Sequence, residues 1–82
     1  MIRLVFLGKL ADLASCETLE VASPTAGTRW PELVAALPSK LAEGLSAETT
    51  KVALNGSVLA DREALVARNG DEIAFLPPVS GG

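Results

Sequence analysis

The 82 residues amount to one small domain at roughly 100–200 residues per ordinary domain, and 49% apolar side chains are enough to give it a core rather than a disordered chain. Seven Lys and Arg against ten Asp and Glu leave a net charge of −3 and a pI near 4.7, with the basic residues scattered singly, so no concentrated basic face exists for nucleic acid or an anionic membrane. With no His, no Tyr and one Cys, the chain has no imidazole base, no Ser-His triad, no Cys-His pair and no His metal site, which leaves a carrier, adaptor or partner subunit without catalytic side chains of its own.

Residues 2–7 read as a first strand, with Ile2, Leu4 and Phe6 pointing one way and Arg3, Val5 and Leu7 the other. The apolar run Leu4-Val5-Phe6-Leu7 is far too short to span a bilayer and lacks the layout of a secretion signal. Residues 9–16 form a connection anchored by Leu10 and Leu13, with room for one helical turn. Cys16, a lone thiol, cannot form an internal disulfide or a metal cluster and reads as a small buried hydrophobe; a cytoplasmic location follows as an expectation. Residues 18–21 return as the second strand of a hairpin, and Ser23 to Gly27 is a loop by composition.

Trp30, Leu33, Val34 and Leu37 fall at i, i+3, i+4 and i+7, the apolar stripe of a helix. Thr28 is the expected N-cap and Pro31 fits the first turn; Pro38 stops or kinks the helix, and Leu41 and Leu45 extend the stripe in a second short piece near Gly44. Residues 51–54 and 57–59 flank Asn55-Gly56, the strongest hairpin signal in the chain. Residues 61–68 are a connection with Leu65 as its core anchor, and Asn69-Gly70-Asp71 is a tight turn. A final strand runs over residues 72–76, with Ile73 and Phe75 on the core face, and Pro77-Pro78 ends it because neither residue can donate to a ladder. A hairpin, one main helix and further strands predict an α+β domain over residues 1–76. The helix lies on one face of a mixed sheet, the first and last strands are adjacent at its centre, and a carrier tail occupies residues 77–82.

That tail ends in Gly81-Gly82, a pair that chance places at the end of only about 0.5% of chains. The run from Asn69 through Asp71, Phe75, Pro77 and Pro78 to Val79-Ser80-Gly81-Gly82 resembles the C-terminal signature of the small, sulfur-carrying subunit of molybdopterin synthase. The opening residues 1–7 and Leu54-Asn55-Gly56 are similar to that family as well. The resemblance implies a ubiquitin-like β-grasp fold, in agreement with the element order. It also implies a chemistry in which no cofactor is held stably. A ubiquitin-activating-like adenylyltransferase uses ATP to adenylylate Gly82, and a sulfur donor displaces AMP to leave a thiocarboxylate. The tail then enters the synthase large subunit, two sulfurs from two carriers making the dithiolene of molybdopterin in a complex of two large and two small subunits.

The residue types suit that use. A terminal carboxylate with a pKa near 3.3–3.7 is ionised and unreactive, so Gly82 requires activation. Gly81 lets the backbone pass a narrow channel, and Pro77 and Pro78 stiffen the base of a segment that reaches roughly 20 Å when extended. Val79 and Ser80 complete the inserted stretch. Alternation places Val5, Leu7, Val58 and Leu76 on the outward sheet face beside the tail, an apolar patch expected to meet partners, the alternative being edge-of-core packing. Trp30 reads as helix–sheet core, and Asp71 and Glu72 as solvated turn acids. Three competing readings stand beside this one: a β-grasp carrier for thiamine or cysteine synthesis, a ubiquitin-like modifier joined through Gly82 to lysines of its targets, and a plain interaction module.

Overall fold

The alternation of Ile2, Leu4 and Phe6 with Arg3 and Val5 is realised in β1 (Ile2–Phe6), whose three large apolar residues are buried while Arg3 is exposed. The computed structural model describes residues 1–77. Of the expected tail only Pro77 falls within them; Pro78, Val79, Ser80, Gly81 and Gly82 lie outside. After β1 come α1 (Lys9–Ala14), β2 (Thr18–Val21), β3 (Thr28–Arg29), α2 (Trp30–Ala35) and α3 (Ser39–Leu45). The second half holds β4 (Lys51–Leu54), β5 (Ser57–Val58), a 3-10 turn at Arg62–Ala64, β6 (Val66–Ala67) and β7 (Glu72–Leu76). The main sheet runs β2-β1-β7-β4-β5, with β1 and β7 parallel at its centre and the other pairs antiparallel. This is the mixed, helix-covered sheet expected from the element order, and it agrees with the β-grasp fold that the resemblance implies.

One face of that sheet makes the core. Ile2, Leu4, Phe6, Val52, Ile73 and Phe75 lie against Leu33, Leu41 and Leu45 of the helices and Leu65 of the later connection. Phe6 and Phe75, register partners across the parallel pair, stack with centroids 5.5 Å apart, and Trp30 tilts against Phe75 at 6.3 Å. The Asn55-Gly56 hairpin forms as its sequence requires, Asn55 at φ 49° and Gly56 at φ 88°, both in the left-handed region of a type I′ turn.

Four expectations are corrected. β1 ends at Phe6, so Leu7 stands just beyond the strand. Thr28 does not cap α2: it pairs with Ala67 in β3–β6, a second small sheet that stands where a helix cap and a connecting segment were expected, and is buried with its hydroxyl 2.8 Å from Ser23 Oγ. Arg29 occupies the cap, its N–H donating to Glu32 Oε1 at 3.0 Å, a contact available to any residue but proline because only the backbone N–H is used. Leu13 is 41% exposed rather than a core anchor, because α1 turns Leu10 inward and leaves Leu13 leaning over Gly44 of α3. Pro38 does split the helical segment, Ala42 N–H donating back to its carbonyl at 2.9 Å.

The two helical pieces are locked to the later connection by one side chain. Arg62 donates from Nη1 to the carbonyls of Ala47 (2.9 Å) and Leu45 (3.3 Å) and from Nη2 to that of Ser46, so it closes the carbonyls at the end of α3 and shares that of Ala47 with the N–H of Thr50. Its guanidinium also lies 4.9 Å from the centroid of Trp30.

Candidate functional site: the outer sheet face and the root of the tail

The strand registers sort the outer face into three rows. At one end Arg3 stands opposite Glu20 on one side and Glu72 on the other, a charged row in which opposite signs alternate. The middle row runs Thr18, Val5, Ala74, Ala53, Val58 across all five strands. At the other end Leu76 stands opposite Lys51, and Leu7 follows β1 beside it. The face therefore grades from a charged row to one in which Leu7 and Leu76 stand beside the single charge of Lys51, at the end where β7 stops and the chain leaves at Pro77.

Val58 is 59% exposed and Leu7 42%, while Val5 and Leu76 are half-buried, so four of the apolar residues singled out by alternation do share this surface. Ala74, which shares the outward parity of Leu76, and its register partner Ala53 form its floor; Ala53 is only 5% exposed. Two alanines side by side keep the centre of the face shallow. The signal available in the sequence was their small size at outward positions, but it needed the register to be read. Around the end of β1 the face continues into a shallow cleft of about 540 Å³, floored by Val5, Leu7 and Ala11 and rimmed by Asp12 and Glu17.

The root of the tail sits against the turn between β1 and α1. Because β1 and β7 are parallel, their C-terminal ends emerge side by side, and Leu7 N–H extends the ladder by donating to Phe75 O at 3.1 Å. Gly8 follows at φ 55°, ψ −130°, a conformation that L side chains rarely adopt. A Cβ on Gly8 would stand 3.1 Å from Cγ of Pro77.

The remaining candidates serve structure. Cys16 is half-buried against the core, with Sγ 3.5 Å from the carbonyl of Ala14. Asp71 is more than a solvated acid: its carboxylate accepts from Arg68 N–H at 2.8 Å and Asn55 Nδ2 at 3.1 Å, tying the hairpin turn to the turn before β7. These bonds, the backbone donor first, hold its pKa below the ordinary 3.8 against the opposing effect of burial. Glu72 stays exposed, its N–H donating to Asn55 Oδ1 at 2.9 Å. Among the described residues no group of three or more His, Cys, Asp or Glu could hold a metal ion, and no helix is long and apolar enough to cross a membrane.

Comparison with known proteins places this geometry. The model of the ThiS family matches residues 4–82. The structure of SAMP1 from Haloferax volcanii superposes with a TM-score of 0.77 at 27% identity, covering 99% of this chain and 98% of that one. Subunit 1 in the complex of subunits 1 and 2 of molybdopterin-converting factor from Helicobacter pylori gives 0.65 at 25% identity, with 99% and 97% covered. A putative molybdopterin converting factor subunit 1 from Pyrococcus furiosus, at 22% identity and a TM-score of 0.70 over 95% and 97% of the two chains, shares the fold. No curated protein sequence matches the chain.

Proposed function

Since the chain belongs to the ThiS family, with the fold of ubiquitin-like sulfur carriers and modifiers, we propose that it is a sulfur carrier that works through Gly82 as the small subunit of a molybdopterin synthase. The observation that carries the reading is the coincidence at one sheet edge of the apolar outer face and the end of β7, after which Pro77 leads into Pro78-Val79-Ser80-Gly81-Gly82. A partner that covers Val5, Leu7, Val58 and Leu76 also meets the point at which the chain leaves the sheet, at Pro77. The Helicobacter neighbour, in complex with a second subunit, supports a large-subunit partner of that kind.

The chemistry is acyl activation followed by sulfur transfer. The Gly82 carboxylate attacks the α-phosphorus of ATP on an activating enzyme, pyrophosphate leaves, and an acyl-adenylate forms. Hydrosulfide adds to the acyl carbon, AMP departs with the electron pair of the broken C–O bond, and loss of the sulfur-bound proton leaves C(=O)–S⁻ on Gly82. In the synthase that sulfur adds to a pterin carbon, and the tail returns to a carboxylate when water takes its place. The domain contributes no acid or base; it supplies a docking face and a narrow tail, Gly81 and Gly82 passing where a Cβ would jam.

Incubating the chain with its activating enzyme, ATP and a sulfur source, then weighing the intact protein, tests this. The expected result is a mass gain equal to exchanging one oxygen for one sulfur on Gly82, followed by pterin conversion when the large subunit is added. An unchanged mass overturns the carrier reading. The similarity to SAMP1, a small archaeal modifier protein whose second structure matches at 28% identity, favours one further reading, in which activated Gly82 is joined to lysine amines of other proteins. Lysine conjugates in extracts distinguish that outcome.

A further inference from the structure

We propose that Gly8 is the positioning residue of the tail: the missing side chain at this turn is the seat of the Pro77 ring, and the seat sets the direction in which the chain leaves the sheet. The inference rests on the carrier reading, because only a segment that must enter another protein needs a set direction.

Three observations carry it. The parallel pairing of β1 with β7 puts the turn after β1 next to the end of β7, although 69 positions separate Gly8 from Pro77. The turn is rigid where it matters: Leu7 N–H donates to Phe75 O at 3.1 Å on one side of Gly8, and Gly8 O accepts from Ala11 N–H at 3.1 Å on the other. Finally, a methyl on Gly8 would stand 3.1 Å from Pro77 Cγ, so the ring would have to give by a few tenths of an ångström. Proline has a fixed φ, and such a shift at its ring passes into the backbone direction that follows.

Handedness separates the contact from the strain. The mirror image of φ 55°, ψ −130° is close to polyproline II geometry, so the backbone here suits D-alanine, which carries its methyl on the other hydrogen of Gly8 and not toward Pro77 Cγ. L-alanine is strained there and meets Pro77.

The test uses the full chain in five forms: parent, Gly8→Ala, D-alanine at position 8 made by chemical synthesis, Pro77→Ala, and Gly8→Ala with Pro77→Ala. A nitroxide on Ser80→Cys, in a Cys16→Ser background, reports tail direction by paramagnetic broadening of amides near Ala11 against those near Val58. All forms are measured well below their thermal midpoints. The expected result is one broadening pattern for parent and D-alanine and a displaced pattern for Gly8→Ala. The double variant should return to the pattern of Pro77→Ala alone while keeping the lowered midpoint of Gly8→Ala. With the activating enzyme, the Gly8→Ala rate constant for Gly82 activation should fall about tenfold or more, misplacement by about 1 Å costing up to ~10² in rate, with D-alanine unchanged. A parental pattern in Gly8→Ala, or equal displacement by the two alanines, overturns the proposal. The nitroxide arm needs no activating enzyme, so the proposal and the carrier chemistry fail separately.

Discussion

Replacing Arg62 by Met removes a guanidinium that closes three carbonyls at the end of α3 and covers Trp30, while keeping an apolar stem against the indole. Each such hydrogen bond is worth about 0.5–1.5 kcal/mol net, and a partly exposed cation–π contact about 0.5–1. Water can reach some of these carbonyls once the side chain is gone, so the loss should be about 2–3 kcal/mol rather than the upper limit. For a domain of this size each kcal/mol moves the thermal midpoint by about 4–8 °C, which puts the Arg62→Met midpoint about 10–20 °C lower. Urea unfolding followed by fluorescence of Trp30, the one tryptophan, with circular dichroism as a second probe, measures it. Arg62→Lys should recover less than half of the loss, because an ammonium cannot fork across three acceptors. A loss below about 0.5 kcal/mol for Arg62→Met, at the noise of an ordinary surface substitution, or a Lys variant as stable as the parent, would refute the clamp.

Other outcomes follow from the same contacts. Leu7→Asp together with Leu76→Asp should leave a cooperatively folded chain and weaken complex formation with the large subunit by about 10² or more, read by titration calorimetry; undiminished affinity removes the outer face from the interface. Gly81→Ala should leave the thermal midpoint unchanged and sharply reduce activation of Gly82, measured by pyrophosphate release. Asp71 has a folded pKa below its unfolded one, so its contribution is full above about pH 4 and is lost as pH falls through the lower folded value. Asp71→Asn should therefore melt below the parent at neutral pH, and the two melting curves should converge in acid.

Much of the fold was legible because its signals are local. Period-two alternation marked β1 and β7, period-3.6 spacing marked Trp30, Leu33, Val34 and Leu37, and Asn55-Gly56 named its own turn through the φ values that only such residues hold comfortably. Thr28 looked like a cap because capping residues are defined by side-chain oxygens, and here a backbone N–H found a carboxylate instead. β3 and β6, two residues each, are too short for any periodicity and exist because their chain segments meet.

The candidate site divides in the same way. The outward parity of Val5, Leu76 and Val58, and the glycine pair beyond the prolines, are properties of neighbouring residues and can be read along the chain. That Ala53 and Ala74 floor the patch, that charge gathers at one end of the sheet and apolar surface at the other, that Arg62 reaches α3 and that Gly8 seats Pro77 all depend on register and on contacts between residues far apart in sequence. Alternation tells which way a side chain points but is the same for every register two residues apart. The choice among those registers was made by the packing of Phe6, Phe75 and Leu65 beneath the sheet.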